Sequence, residues 1–212
     1  MARRIVQIPR SRNNRNTKEC ILVNYEGKEN RTEEKYFNNY QDRKNPYYIK
    51  PIDSHVTDPL QMVEALVEYM RHQDIDTDDN YKVYCIFDTD VTPLKQPRID
   101  KAIELAKSNN IIPIISSPCF EIWFREHFNY TRKHYNSNEE LIEDLRKFIP
   151  NYKKNLDVYN EISKKTQFAI NNCKQLEKEQ IENGNKLNTV NCNPYTSVDK
   201  LVEYLIDKIK EK

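Results

Sequence analysis

Four short apolar runs alternate with stretches of helical periodicity, and that alternation leaves the chain few architectures. The runs are residues 20–25 (CILVNY), 47–52 (YYIKPI), 81–87 (YKVYCIF) and 111–116 (IIPIIS). Between them, Tyr36, Phe37 and Tyr40 make one apolar face. Leu60, Val63, Leu66, Val67 and Met70 make a second, and Ile99, Ala102, Ile103 and Ala106 a third. Residues three and four apart share one side of a helix. Strands joined by helices run parallel, with the helices covering the sheet, so an α/β fold is expected. Pro51 cannot donate to a strand ladder, which puts residues 47–52 near an edge. Asp58 and Pro59 read as the N-cap and first residue of the second helix.

After residue 117 the character changes. The aromatic-rich segment FEIWFREHF (120–128) reads as a helix, with Trp123 and the phenylalanines in the core. Leu141, Ile142, Leu145 and Phe148 mark another helix, stopped by Pro150. Residues 151–183 are rich in Lys, Asn, Glu and Gln and read as mostly helical, with Gly184 as the C-terminal stop. Val198, Leu201, Val202, Leu205, Ile206 and Ile209 give a well-patterned last helix. The expected organisation is a basic arm at 1–19, an α/β core at 20–130, and a helical C-terminal region at 131–212 packing on that core.

The strand ends carry the chemistry. Glu26 follows the first run and Asp88-Thr89-Asp90 follows the third. Ligands of open parallel sheets collect outside the carboxyl ends of the strands, so these carboxylates converge if the two strands are neighbours. Like charges that close repel unless a cation binds or a proton is held. Oxygen donors of this kind suit Mg²⁺ or Mn²⁺. Alternate strand residues project the same way, which would aim Asp88 and Asp90 together. The competing reading is ordinary solvated loop carboxylates. The chain has only two glycines, Gly27 and Gly184, so the one beside Glu26 marks a backbone turn that other residues do not supply.

Composition narrows the partners. A net charge of +1 gives no overall footprint for nucleic acid. Arg3, Arg4, Arg10, Arg12 and Arg15 nevertheless precede the first acid, Glu19, as an arm that can grip phosphates or lie as a solvated tail. The five cysteines are scattered without a CxxC pair, which excludes a zinc ribbon and a disulfide framework. With no run of membrane-spanning length and no secretory apolar stretch, a soluble, cytoplasmic protein with no membrane partner is expected.

A Glu after the first strand and an Asp-x-Asp after the third is the pattern of the Toprim domain. The match extends further. ILVNYEG with TEEKYF (21–37), VYCIFDTD (83–90), SSPCFEIWFREHF (116–128) and NPYTSVDKLVEYL (193–205) resemble the RloB-like family, which includes the second protein of the AbiL abortive-infection system. Ser117 and Arg125-Glu126 depart from the family's usual Asn and leucines, and KENR lengthens the stretch after Gly27. Any of Glu29, Glu33 and Glu34 is therefore a candidate for the further site carboxylate.

The resemblance implies a Toprim, Rossmann-like sheet bearing a Mg²⁺ or Mn²⁺ site at Glu26, Asp88 and Asp90. It implies a nuclease that works with an ABC-type ATPase in antiviral defence and takes RNA, tRNA included. Glu121, near the start of its helix, either reaches the same cleft or is a carboxylate favoured by the helix dipole. His127 is a further candidate beside a packed-histidine reading. Tyr47, Tyr48, Tyr130, Tyr135 and Tyr152 either stack on unpaired bases or are ordinary packing residues. A DNA nuclease and a non-catalytic, metal-binding adaptor of the ATPase are the alternatives. The C-terminal helices offer a surface for the ATPase or for a second copy in a homodimer.

Overall fold

The strands bury both faces, so helices must lie on each side of them. In the computed structural model, which describes residues 18–26, 31–77 and 80–211, five strands form one sheet in the order β2-β1-β3-β4-β5. These are β1 (Glu19–Tyr25), β2 (Tyr47–Ile52), β3 (Tyr81–Asp88), β4 (Ile111–Ser117) and β5 (Tyr195–Thr196). β2, β1, β3 and β4 are mutually parallel, and β5 is antiparallel to β4. The protein is thus a mixed α/β fold with a mostly parallel sheet, and β2 takes the expected edge.

Side-chain alternation divides the core into two layers. Cys20, Leu22, Val83, Cys85, Phe87 and Ile115 point to one face, covered by α2 (Pro59–His72) and α3 (Gln96–Ser108). Ile21, Val23, Tyr25, Tyr84, Ile86 and Ile114 point to the other. That face is covered by α1 (Thr32–Asn38), α4 (Glu121–Glu126), α5 (Asn138–Arg146), α6 (Tyr159–Ile162), α7 (Thr166–Glu182) and α8 (Val198–Lys210). Trp123, Phe120 and Phe124 are buried in this second layer, where Tyr36 meets all three rings. Helix α2 starts as its sequence indicates, with the Asp58 side chain accepting from the Gln61 amide at 3.0 Å and Pro59 in the first turn. Gly184 sits at φ +76, one residue past the cap of α7, and the Asn185 amide reaches back to the Gln180 carbonyl.

Three elements differ from the sequence reading. The aromatic helix is shorter, Glu121–Glu126 within the expected 120–128. Residues 151–158 are irregular rather than helical, with Asn155 in the left-handed region at φ 69. Strand β5 was not anticipated, because two residues are too short to show a period. It is held by more than its own ladder: the Ile115 amide donates to Ser197 Oγ at 2.9 Å, and the Ser116 and Thr196 hydroxyls lie 2.9 Å apart.

Arg125 stands where the resembling family carries leucine, and it is buried with Asp144. Its Nε donates to Asp144 Oδ2 at 2.7 Å, which also accepts from the Tyr135 hydroxyl, while Lys147 donates to Oδ1. Arg125 also donates to the Asn129 carbonyl and lies over the Phe148 ring. Truncating one side of such a pair leaves the other charge less compensated, here with Asp144 keeping only Lys147 and Tyr135. Arg125→Leu is therefore expected to cost about 3 kcal/mol in urea denaturation, and Arg125→Leu/Asp144→Asn to recover part of it. A loss below roughly 1 kcal/mol for the single variant would show that Asp144 does not depend on Arg125.

Candidate functional site

Strand order creates the cleft. Helix α1, after β1, lies on one face of the sheet, and α3, after β3, lies on the other. The connections therefore diverge from the carboxyl ends of two adjacent strands and leave a crevice between them. Tyr25 pairs with Ile86, which brings Glu26 beside the end of β3. The Asp88 amide donates to Glu26 Oε2 at 2.9 Å, so the two strand ends are joined at the acid itself.

Asp90 reaches the cleft by a route other than strand alternation. The strand ends at Asp88, and Asp90 and Val91 turn through the left-handed region at φ 52 and 46. A β-branched residue there is strained, and the surrounding bonds hold it. The Thr89 amide donates to the Ser116 carbonyl at 2.9 Å and the Asp90 amide to the Pro118 carbonyl at 3.0 Å. The Thr89 hydroxyl donates to Ser117 Oγ at 2.8 Å. Asn138, at the start of α5, then donates to Asp90 Oδ1 at 2.7 Å.

Lys95 lies among the carboxylates, at the end of a 3-10 turn, Pro93–Lys95. Its Nζ donates to the Asp88 carbonyl at 2.7 Å, to Asp90 Oδ2 at 2.8 Å and to Glu26 Oε1 at 3.2 Å. Burial raises the Glu26 pKa, with Lys95 and the Asp88 amide opposing. For Asp90 burial also acts upward, but the Lys95 and Asn138 bonds outweigh it and the pKa is lowered. Asp88 has no such relief. It is buried, its Oδ1 has no hydrogen-bond partner, and desolvation together with Glu26, Glu33, Glu121 and Asp90 pushes its pKa well up.

Glu33 and Glu121 complete the acidic group. Glu33, in the first turn of α1, is buried, and desolvation with the charges of Glu121 and Glu26 raises its pKa to about 8. Glu121 is buried at the start of α4 and accepts from the Tyr152 hydroxyl at 2.9 Å. Lys154, in the irregular segment after Tyr152, is partly desolvated, but the charges of Glu121, Asp88 and Glu33 prevail and raise its pKa. Lys95, Asn138 and Lys154 carry no spacing signal in the sequence, and Tyr152, read there as a stacking or packing residue, is instead the hydrogen-bond partner of Glu121.

The remaining candidates fall elsewhere. Gly27, Glu29, Arg3, Arg4, Arg10, Arg12 and Arg15 lie outside the described residues. Glu34 is half-buried, and its charge acts on Tyr25. Tyr47, Tyr135 and Tyr152 are core residues, closed to base stacking, whereas Tyr48 is exposed. His127 is fully buried, with Nδ1 2.8 Å from the Trp123 carbonyl, and desolvation lowers its pKa to about 4. Its contacts are with the Trp123 ring and the Phe124 carbonyl, which accepts from its amide, and the charge of Lys165 also acts on it.

A divalent cation fits this cleft in donor type and charge: the side chains are hard oxygen donors, and one, Asp88 Oδ1, is buried without a partner. Among the described residues, however, no three His, Cys, Asp or Glu side chains already stand as a cation cage. Lys95 holds Glu26 and Asp90 instead.

Glu126 is a separate buried acid. Neither carboxylate oxygen has a hydrogen-bond partner, and desolvation, opposed by the charge of Arg125, raises its pKa from 4.5 to about 8. The folded state then holds this proton longer than the unfolded state, so its contribution to stability falls as pH rises from about 4.5 through 8. Glu126→Gln cannot ionise. Its melting temperature relative to the native protein should be higher at alkaline pH than at mildly acidic pH, and an unchanged difference would count against a protonated Glu126.

Comparison with known proteins gives one family, RloB-like protein, matched over residues 21–205. No curated protein and no solved structure matches the chain. The matched span runs from β1 into α8 and takes in every carboxylate of the cleft. The chain belongs to the RloB-like protein family.

Proposed function

We propose that this protein is a Toprim-type, Mg²⁺- or Mn²⁺-dependent endonuclease acting on RNA, tRNA included, as the effector of an antiviral system with an ABC-type ATPase. The observation that carries the nuclease reading is Asp88: a buried carboxylate with an unpartnered oxygen, ringed by other acids at the divergence of two strand connections. RNA, the ATPase and the defence role follow from the family resemblance alone.

Glu26, Asp88 and Asp90 would hold the cation, which supplies Lewis-acid polarisation of a phosphate. The chain's own residues do the rest. Glu33, whose pKa burial and the charges of Glu121 and Glu26 raise to about 8, would serve in general acid–base action on water or a ribose hydroxyl. Tyr152 fixes Glu121, and Asn138 fixes Asp90, so neither acid needs to reorganise as substrate enters. Lys154, exposed at the rim, offers a cation to the phosphate backbone.

The test uses purified protein with Mg²⁺ or Mn²⁺ and labelled tRNA, single-stranded DNA or plasmid, with and without the ATPase. Asp88→Asn and Glu26→Gln are each expected to lose cleavage by a factor on the order of 10² or more while keeping native circular dichroism. Cleavage at the native rate by either variant overturns the assignment. Failure of the native protein to cut any substrate, alone or with the ATPase, favours the adaptor reading.

A further inference from the structure

Lys95 is more than one member of the cleft. All three protons of its ammonium are used, on two carboxylates from different strand ends and on the Asp88 carbonyl of β3. Its side chain is 15% exposed, so this is an enclosed cation rather than a surface pair. The backbone beneath it is anchored: the Lys95 amide donates to the Thr92 carbonyl at 2.8 Å, and the next side chain, Gln96, accepts from the Val190 amide at 2.8 Å. The stem above is a flexible four-carbon chain.

The oxygens that Lys95 occupies are the ones a divalent ion needs. Glu26 Oε1 and Asp90 Oδ2 face the ammonium, while Asp88 Oδ1 faces no donor. Two cations cannot share those oxygens at hydrogen-bond distance without strong repulsion. Resting on the nuclease reading, we infer that Lys95 is a tethered counter-ion that competes with the divalent cation for Glu26 and Asp90. It holds the cleft assembled when no ion is present and must swing out for one to bind. Once displaced, the ammonium stays within reach of the cleft, where an entering phosphate is its natural partner. The site is thereby selective for ion and phosphate arriving together over the ion alone.

The test is Mn²⁺ binding alone, followed by calorimetry and by the loss of the free-ion paramagnetic resonance signal. Lys95→Met is expected to bind Mn²⁺ about tenfold more tightly than the native protein. Without the ion its melting temperature should be lower, and it should be restored by Mn²⁺. Lys95→Arg keeps a cation in place and should stay close to the native affinity. If Lys95→Met does not fold, Lys95→Gln carries the same expectation. Equal or weaker Mn²⁺ binding by the neutral variants overturns the inference, as does absence of binding by any variant at millimolar Mn²⁺. The two readings fail separately. Unchanged Mn²⁺ affinity in Lys95→Met, with cleavage still lost in Asp88→Asn, removes the gate and leaves the nuclease. Tighter binding in Lys95→Met, with full cleavage by Asp88→Asn, does the reverse.

Discussion

Parallel pairing of β1 with β3 is the constraint on which the rest of the molecule depends. It sets Tyr25 opposite Ile86, and so places Glu26 where its carboxylate takes the amide of Asp88. A parallel pair needs a crossover after each strand, and here the crossovers leave on opposite faces. The crevice is the geometric remainder of that choice. Everything acidic around it is positioned by elements packed for ordinary apolar reasons: α1 delivers Glu33 because Tyr36 and Phe37 are core residues, and α4 delivers Glu121 because Phe120, Trp123 and Phe124 are.

Such crowding of carboxylates opposes folding unless it is compensated. The fold compensates in two different ways. At the cleft the means are the Lys95 ammonium among the carboxylates and the charge of Lys154, while Asp88 stays desolvated with its pKa pushed up, an arrangement that leaves charge to be satisfied by something else. Around Asp144 the means are complete: Arg125, Lys147 and Tyr135 all donate to the same carboxylate. The contrast separates the two clusters by physical criteria, since both are acidic and both lie beneath helices, yet only the cleft leaves a buried carboxylate oxygen unpartnered.

Much of this was legible in the residues. The parallel sheet, its edge strand and the α2 cap follow from period, Pro51 and Asp58, because those signals are local. Glu26 and Asp88 were legible because strand ends are local too. Asp90 lies in the cleft as its spacing suggests, but it turns there through left-handed backbone rather than by alternation along a strand. Lys95, Asn138 and the bond from Tyr152 to Glu121 are not legible, since each arrives from a turn, a helix start or an irregular segment whose placement depends on the whole fold. Strand β5 escaped for the same reason: its two residues have meaning only against β4.

That last strand also bears on the order in which the site can be made. The turn carrying Asp90 leans on Ser116, Ser117 and Pro118, and β4 in turn is paired by Tyr195, Thr196 and Ser197. A chain still leaving the ribosome therefore holds Glu26, Asp88 and Lys95 long before it can close the edge that braces them. The acidic turn gains its last support only after residue 197 has been synthesised and has threaded back to β4.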